Sequence, residues 1–329
     1  MTGFHGLITF VRMRMSGLFD LQVNGYAGID FNDAAITPAG MDHALAAMRT
    51  AGISHCLPTL ITAPRELLSQ RLLALDRAVS ASRTGPTMVL GYHLEGPFLS
   101  AVDGYSGCHP TAPMCDPDIN FVKELEAPLV RPILLITLAP ERPNAIPFIL
   151  WARQAGKIIA LGHTGAGAQE IARAAEAGAT LSTHLGNAMR PAQPKFDNPL
   201  MWQLADDRLW ASFIVDGIHV PPHALKVMLR AKGPERSILV TDATAAAAAE
   251  VGQYSFAGMQ IGRDAMGRVH VPGTDRLAGS GLTLDQAVHN VVAWKLASAD
   301  HAVRMARDNP RALLAPALAA HGLRLIEPA

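Results

Sequence analysis

The sequence has no excess of charge of either sign: 28 Lys and Arg residues balance 28 Asp and Glu residues in a chain of 329. Without a basic face or a charged run, the composition argues against binding to nucleic acid, contact with a membrane surface or a disordered tail. A hydrophobic share of 49% with 17% charged residues is typical of a globular protein with a sizeable core. We therefore expect a small-molecule partner, with no nucleic acid and no membrane.

Cysteine is scarce, and no long hydrophobic run is present. Cys56, Cys108 and Cys115 are unevenly spaced and fit neither a metal-binding nor a disulfide pattern, so we interpret them as reduced thiols. The apolar stretch at 6–11 is too short for the core of a signal peptide or for a membrane span, and its arginines follow it instead of preceding it. The sequence therefore predicts a cytoplasmic protein.

Short apolar runs recur along the chain, and each is followed by a helical pattern. They lie at 18–23, 54–60, 89–95, 133–139, 157–163, 180–184, 210–216 and 238–242. Continuous apolar runs suit strands that are buried on both faces, as in a parallel sheet. Eight strand–helix alternations predict an α/β fold of the (β/α)₈ TIM-barrel type. An open doubly wound sheet is the alternative, but no G-x-G-x-x-G motif follows the first strand.

Two more helices are predicted after the eighth strand. The first follows a glycine-rich turn, with Ser280 or Thr283 as its N-cap, and the second covers roughly 299–314. We expect three segments: an N-terminal extension over 1–17, the barrel over 18–315 and a C-terminal tail over 316–329.

Polar side chains that an apolar strand does not need for packing stand at the C-terminal ends of the predicted strands. They are Gln22, Asn24, Thr59, His93, Glu95, His163, His184, Asp216, His219 and Asp242. A single strand-end histidine is more often a hydrogen-bonded structural residue than a ligand. In a barrel, however, these ends converge on one mouth, where active sites are built. The set as a whole therefore predicts a catalytic site.

Three of these residues form a candidate metal site. Glu95, His163 and His184 offer one carboxylate and two imidazoles, which suit one Zn²⁺ with an open position for water; Fe²⁺, Mn²⁺ and Co²⁺ are alternatives. Asp242 is placed to take a proton from that water, because a bound metal lowers the pKa of water from 15.7 to about 7. His219 could donate a hydrogen bond to the substrate carbonyl and stabilise the oxyanion. The pattern predicts a metal-dependent hydrolase.

Sequence motifs in a fixed order extend this prediction over most of the chain, from about 20 to 309. They read DLQVNGYAGIDFND, LPTLIT, HLEGPFLS, GCHP, LGHTGA, THLGNAM, VDGIHV, LVTDAT and LAGSGLTLDQAV. The series resembles the N-acetylglucosamine-6-phosphate deacetylase family of the amidohydrolase superfamily. The resemblance implies hydrolysis of the acetamide of an N-acetyl amino sugar 6-phosphate, which releases acetate and the free amine.

The resemblance also implies roles for individual residues. Glu95, His163 and His184 correspond to the family's metal ligands, and Asp242 corresponds to its acid/base. Its substrate contacts correspond to His109, Asn187, Ala188, His219, Leu277, Ala278 and Gly279. In many members an arginine from the neighbouring subunit contacts the phosphate, so we expect a homodimer.

The chain departs from the family pattern in three respects. The family's accessory β-sandwich is expected to be absent or vestigial. Gly186 replaces an aromatic residue in the THL-x-NAM motif and should widen the pocket. Lys195 stands in the place of the phosphate-binding arginine, with Arg190 nearby. A lysine provides a point charge without the bidentate fork of an arginine, so the two are not equivalent at a phosphate site.

Gln22 and Asn24 occupy positions where many amidohydrolases carry a histidine pair for a second metal. Amide side chains are poor ligands for Zn²⁺, so we expect one metal, with these amides acting as structural hydrogen-bond donors or as contacts at the site.

Two other functions remain open. One is an amidohydrolase of the same mechanism that acts on an unphosphorylated amino sugar or an N-acyl amino acid. The other is a metal-free barrel that binds a sugar ligand, which the intact set of four acidic and histidine residues disfavours.

Overall fold

Eight parallel strands form a barrel in the computed structural model, which describes residues 16–326. The strands are β1 (Leu18–Val23), β4 (Ile53–Ile61), β5 (Tyr92–Glu95), β6 (Ile133–Leu138), β7 (Ile158–Leu161), β8 (Ala179–Ser182), β9 (Trp210–Ile214) and β10 (Ser237–Val240). They follow one another around the sheet in this order. The (β/α)₈ prediction is confirmed. The predicted N-terminal extension lies outside the described residues except for positions 16 and 17.

The first and last strands meet just beyond their ends and close the barrel. Val23 and Ala243 form a parallel bridge, and the Asp242 amide donates to the carbonyl oxygen of Gln22 at 2.9 Å. The strands are mostly apolar because one face packs inside the barrel and the other packs against the surrounding helices. The strand ends named in the sequence therefore converge on one mouth.

Helices surround the barrel. They are α1 (Pro38–Thr50), α2 (Arg65–Ala81), α3 (Gly85–Met88), α4 (Ile119–Glu126), α5 (Ala145–Gln154), α6 (Ala168–Ala177), α7 (Pro199–Ala205), α8 (Pro222–Lys232), α9 (Leu284–Ala293), α10 (Ala299–Ala306) and α11 (Asp308–Ala320). Capping side chains determine where several of these helices begin. Thr37 caps α1 by accepting from the Gly40 amide, and Asp118 caps α4 in the same way. No helix in the described part of the chain is long and apolar enough to cross a membrane.

The prediction of one C-terminal helix over 299–314 is wrong in one respect, because the structure has two helices in this region. α10 ends at Ala306, and α11 begins at Asp308 and ends at Ala320, beyond position 315 where we expected the barrel to end. Pro310 explains the break: inside a continuous helix its ring would clash with the preceding turn, whereas the first turn of a new helix tolerates it. α9 begins after Thr283, one of the two predicted caps, although the Thr283 hydroxyl makes no cap hydrogen bond.

A small antiparallel sheet between β10 and α9 was not predicted. It contains β11 (Gly252–Phe256), β12 (Met259–Arg263) and β13 (Val269–His270), and a second antiparallel pair joins β2 (Gly25–Tyr26) to β3 (Ile29–Asp30). Ala257 and Gly258 form the β11–β12 turn with φ of 51° and 83°, as tight hairpin turns require. Phe256 packs against Ile61, so the hairpin lies beside the barrel mouth. Within residues 16–326 no β-sandwich accompanies the barrel.

A buried carboxyl group helps to join β1 to β10. Asp20 is fully buried, and its carboxyl oxygens accept hydrogen bonds from the Thr241 hydroxyl at 2.5 Å, the Thr241 amide at 3.2 Å and the Gln22 amide at 3.3 Å. Burial raises the pKa of Asp20 to about 7, although these hydrogen bonds oppose the shift. The folded protein therefore binds this proton more tightly than the unfolded chain does.

We expect Asp20→Asn to make the stability less sensitive to pH. Between pH 4 and 7 the folded state holds the Asp20 proton while the unfolded chain has lost it, so the free energy of unfolding falls as pH rises. From pH 5 to 7 this fall amounts to about 2–3 kcal/mol. Urea melts of the native protein and the variant at both pH values measure it. A fall of equal size in both proteins would show that Asp20 titrates normally.

Candidate active site

The backbone turns sharply after three barrel strands, and each turn carries a candidate site residue. His163, His184 and Asp242 each stand two positions beyond the end of a strand, with φ of 52°, 28° and 49°. Residues other than glycine rarely adopt this left-handed region, and holding one there costs roughly 1–3 kcal/mol. The turns bring these three side chains to the cavity at the barrel mouth. Strain of this kind is typical of sites whose geometry serves function.

The predicted ligands of the metal lie together. Glu95, the last residue of β5, places its Oε1 atom 3.0 Å from Nε2 of His184 and 3.3 Å from Nε2 of His163. The two histidine Nε2 atoms are 3.3 Å apart. All three side chains are buried, and within residues 16–326 this is the group of acidic, histidine and cysteine side chains that could hold a metal ion.

The donor atoms fit a divalent metal. Four tetrahedral ligands at about 2.0–2.1 Å from Zn²⁺ stand roughly 3.3–3.4 Å from one another, close to the separations in this site. Nδ1 of His163 donates to the carbonyl oxygen of Tyr105 at 2.9 Å, so in the neutral ring Nε2 carries a lone pair. That lone pair faces a carboxylate oxygen, and a cation between them resolves the repulsion.

Electrostatics support the same interpretation. Burial disfavours a charge on Glu95, but the surrounding imidazoles of His109, His163 and His184 outweigh burial and hold the pKa of Glu95 well below its usual range. The site thus keeps a buried carboxylate ionised and surrounds it with imidazole nitrogens. This combination of donors suits Zn²⁺ or a similar divalent ion.

Two amide side chains of the first strand position Asp242. Nδ2 of Asn24 donates to Oδ1 of Asp242 at 2.7 Å, and Nε2 of Gln22 donates to the same oxygen at 3.2 Å and to Oε1 of Glu95 at 3.0 Å. Burial, followed by the charge of Glu95, raises the pKa of Asp242 to about 6. Gln22 and Asn24 therefore act as hydrogen-bond donors to the acidic residues.

His219 is held by an aspartate of its own turn. Nδ1 of His219 donates to Oδ2 of Asp216 at 2.6 Å, and the Ile218 and His219 amides donate to Oδ1. Burial raises the pKa of Asp216, but these bonds outweigh burial, and the net pKa is lowered. The bond at Nδ1 leaves Nε2 as the ring nitrogen that can contact a ligand in the cavity.

His109 stands against the metal cluster. Its Nε2 lies 3.6 Å from Oε2 of Glu95, its ring packs on His163 with centroids 4.5 Å apart, and its Nδ1 lies 2.9 Å from the Thr62 hydroxyl. Burial lowers the pKa of His109 to about 4, so its ring is neutral at pH 7. Of the other strand-end residues, Thr59 and His93 hydrogen-bond to each other, and His93 also bonds to Thr137.

These residues surround a cavity of about 250 Å³ at the barrel mouth. Its lining includes these predicted residues: Asn24, Glu95, His109, His163, His184, Asn187, Ala188, His219, Asp242 and Gly279. Leu277 lines it as well, whereas Ala278 is buried in the small cluster beneath the hairpin. The Ser280 amide donates to the carbonyl oxygen of Asp242 at 2.8 Å and thereby holds this segment against the rim.

The phosphate contacts predicted at Lys195 and Arg190 do not line this cavity. Lys195 is exposed on the segment before α7, and Nε of Arg190 donates to the carbonyl oxygen of Asp103 at 3.0 Å. Gly186 does not line it either, and a Cβ there would lie 2.9 Å from Cε of Met228.

Five residues that were not predicted also line the cavity: Ile61, Gly107, Cys108, Phe256 and Arg276. Phe256 belongs to the unpredicted hairpin, and Arg276 stands immediately before the LAGSG motif. The adjacency of Arg276 to that motif was the available signal.

No protein-family model matches the chain. It is 34% identical over 221 residues to the N-acetylglucosamine-6-phosphate deacetylase of Lysinibacillus sphaericus, which is 67% of this chain but 56% of that protein. Its identity to the bovine enzyme of the same name is 32%, over 91% of this chain and 73% of that protein. Its identity to the N-acetylgalactosamine-6-phosphate deacetylase of Escherichia coli O157:H7 is 31%, over 90% of this chain and 76% of that protein.

A solved structure gives the same relationship. The N-acetyl-D-glucosamine-6-phosphate deacetylase of Mycobacterium smegmatis, in a mutant form with N-acetyl-D-glucosamine-6-phosphate bound, matches with a TM-score of 0.83 at 34% identity. The match covers 91% of this chain and 77% of that one.

The barrel and the residues at its mouth define an amidohydrolase, an enzyme that hydrolyses linear amides. The fold accounts for the position of the site. The sequence identity of 31–32% to the bovine and Escherichia coli deacetylases, over about nine tenths of this chain, shows to which family of amidohydrolases it belongs. The chain belongs to the N-acetylglucosamine-6-phosphate deacetylase family.

Proposed function

We propose that this protein hydrolyses the acetamide of N-acetylglucosamine 6-phosphate to glucosamine 6-phosphate and acetate. The observation that carries the proposal is the convergence of Glu95, His163 and His184 with Asp242 at the barrel mouth. The named relatives act on sugars of this class, which supports the choice of substrate.

Glu95, His163 and His184 would hold one divalent metal, for which we propose Zn²⁺. When bound, the metal lowers the pKa of a water in its open position and polarises the acyl oxygen of the substrate. The hydrogen bond from His163 to the Tyr105 carbonyl orients that ring, as a ligating histidine requires.

Asp242 is proposed as the group that moves the proton. Oδ1 of Asp242 is held by Asn24 and Gln22, which leaves the other oxygen to take a proton from the attacking water. Asp242 then returns this proton to the amide nitrogen, so that the amine leaves neutral. A base whose pKa is near 6 is ionised at pH 7 and still accepts a proton readily.

His219 is proposed to stabilise the oxyanion. With Nδ1 bonded to Asp216, Nε2 is the atom proposed to donate a hydrogen bond to the carbonyl oxygen as negative charge develops there. His109, Asn187, Ala188, Leu277 and Gly279 line the remaining walls of the cavity and are proposed to contact the sugar. The family resemblance suggests Lys195 as the phosphate contact. It also suggests a homodimer. We further propose that the protein is cytoplasmic.

We expect kcat/KM for the 6-phosphate to exceed kcat/KM for the unphosphorylated sugar by about ten- to a hundred-fold. This factor corresponds to the free energy of one hydrogen bond to a charged group. Acetate release from N-acetylglucosamine with and without the phosphate measures it, and the galactosamine epimer tests the stereochemistry. If both glucosamine compounds are equally poor substrates, the sugar-phosphate proposal fails. N-acyl amino acids would then be the next class to assay.

A further inference from the structure

A buried histidine lies beneath the metal cluster, and the catalytic proposal assigns no role to it. His93 stands on β5 two residues before Glu95. Side chains two apart on a strand point to the same face, so His93 lies one layer below Glu95 inside the barrel. Its side chain is 1% exposed and does not line the active-site cavity. A polar ring in a barrel core is costly unless its hydrogen bonds are made.

Three buried threonines complete the hydrogen bonding of this ring. Nδ1 of His93 lies 3.2 Å from the Thr59 hydroxyl on β4, and Nε2 lies 2.8 Å from the Thr137 hydroxyl on β6. The Thr137 and Thr183 hydroxyl groups are 2.8 Å apart. We call His93, Thr59, Thr137 and Thr183 the threonine–histidine network. It crosses the barrel interior from β4 to the end of β8.

One arrangement of hydrogens satisfies the whole network. The Thr59 hydroxyl donates to the carbonyl oxygen of Leu57 at 3.2 Å, so Nδ1 of His93 donates to Thr59. Nε2 of a neutral His93 ring then accepts from Thr137, and Thr137 accepts from Thr183. Each polar hydrogen of the network therefore has an acceptor, and its side chains are fixed relative to one another.

The network borders the backbone of both histidine ligands. Thr183 immediately precedes His184, and Gly162 immediately precedes His163. A Cβ at Gly162 would lie 2.9 Å from Cγ2 of Thr137 and 2.9 Å from Cβ of Thr183. The two threonines therefore pack directly on the backbone that leads to His163. With the strand of the carboxylate ligand, all three ligand-bearing segments contact the network or carry one of its members.

The orientation of His184 depends on the backbone that carries it. Its buried Nδ1 atom has no hydrogen-bond partner within residues 16–326. A ligating histidine is usually oriented through its second ring nitrogen, as His163 is by the Tyr105 carbonyl. For His184 the backbone replaces this contact. The His184 amide donates to the Ser212 hydroxyl at 2.7 Å, and the preceding residue, Thr183, is held by the network.

We propose that His93 is a positioning residue of the metal site: through Thr137 and Thr183 it holds the ligand-bearing backbone at the spacing that one divalent ion requires. The inference rests on the proposed function for the metal, but not for the identity of the substrate. Leucine or valine could fill the same space, but apolar contacts have no fixed direction, whereas hydrogen bonds fix the distances between neighbouring strands. The ligands are thus arranged before the ion binds.

The test measures the affinity of the full-length protein for Co²⁺ by competition with a chelator. Thr137→Val removes a hydroxyl of the network with little change of shape, and His93→Leu removes its centre. Each is expected to weaken Co²⁺ binding about ten- to a hundred-fold, the usual effect of losing a group that orients metal ligands. Thr137→Ser keeps the hydroxyl and should restore the native affinity. Thr180→Val, on β8, is the matched control, because the Thr180 hydroxyl has no hydrogen-bond partner in the described part of the chain.

A second measurement separates positioning from a general loss of stability. The visible absorption spectrum of the Co²⁺-loaded protein reports the geometry of its ligands, so it should change in Thr137→Val and stay native in Thr137→Ser. Melts of the metal-free proteins give the stability of each variant. A lower Tm with native Co²⁺ affinity and a native spectrum would show a merely structural role and overturn the proposal. Equal losses of affinity in Thr137→Ser and Thr137→Val would also overturn it.

Metal binding is measured without substrate, so this proposal and the proposed function fail separately. A native protein that binds Co²⁺ but hydrolyses neither N-acetylglucosamine nor its 6-phosphate would refute the proposed function, and the affinities of the variants would still decide the role of His93. An active deacetylase whose Co²⁺ affinity is unchanged in Thr137→Val and His93→Leu would refute the positioning role alone. If His93→Leu does not fold, the two Thr137 variants decide the question.

Discussion

Asp242→Asn is expected to lower kcat by at least about 10²-fold while the metal stays bound, because an amide has no basic oxygen that can take the proton from water. The substitution is nearly isosteric, and the carbonyl oxygen can still accept from Asn24 and Gln22. Steady-state kinetics with a parallel metal determination measures both quantities.

A second aspartate provides the control for this experiment. Asp264 lies outside the active-site cavity and accepts hydrogen bonds from the backbone amides of Met266 and Arg268. Asp264→Asn should keep kcat within about twofold of the native value, since surface changes of this kind have small effects. A loss in Asp242→Asn that appears in KM alone would contradict a role for Asp242 in the chemical step.

His184→Ala is expected to remove most of the bound metal and, with it, the activity. The site offers three protein ligands, so the loss of one leaves a pair that holds a divalent ion weakly. Elemental analysis after dialysis should give close to one equivalent for the native protein and a small fraction of this for the variant.

The control for the metal experiment is His223→Ala, which truncates an exposed histidine on α8 and should leave the metal content unchanged. Two equivalents of metal in the native protein would contradict the single site, and would indicate that Gln22 or Asn24 contributes to a second ion. Full metal content in His184→Ala would remove His184 from the ligand set.

The barrel could be predicted because a local sequence pattern marks each of its strands. Each is a short apolar run that must be buried on both faces, and parallel strands of this kind require a helix between them. Strand order then follows chain order, and every strand end is brought to the same mouth. Glu95, His163, His184 and Asp242 were identifiable on this basis, since polar residues at the ends of such strands have no packing role.

The hairpin β11–β12 escaped prediction because its strands are short and partly exposed, although apolar side chains alternate with polar residues or glycine in both of them. Its position depends on Phe256 packing against Ile61, two residues far apart in the sequence. The break between α10 and α11 was readable from Pro310, but the helical pattern on both sides concealed it.

The sequence by itself determined the barrel and the residues at its strand ends, because both depend on short-range pattern and on the fixed direction of parallel strands. Only the tertiary structure decided which polar groups find partners. Arg71 reads in the sequence as an ordinary helix residue, and the fold leaves it 7% exposed beneath the hairpin turn. Lys195, which the family resemblance suggests as a phosphate contact, is exposed and lies outside the cavity of its own chain. Burial and pairing depend on contacts between distant segments, which local pattern does not encode.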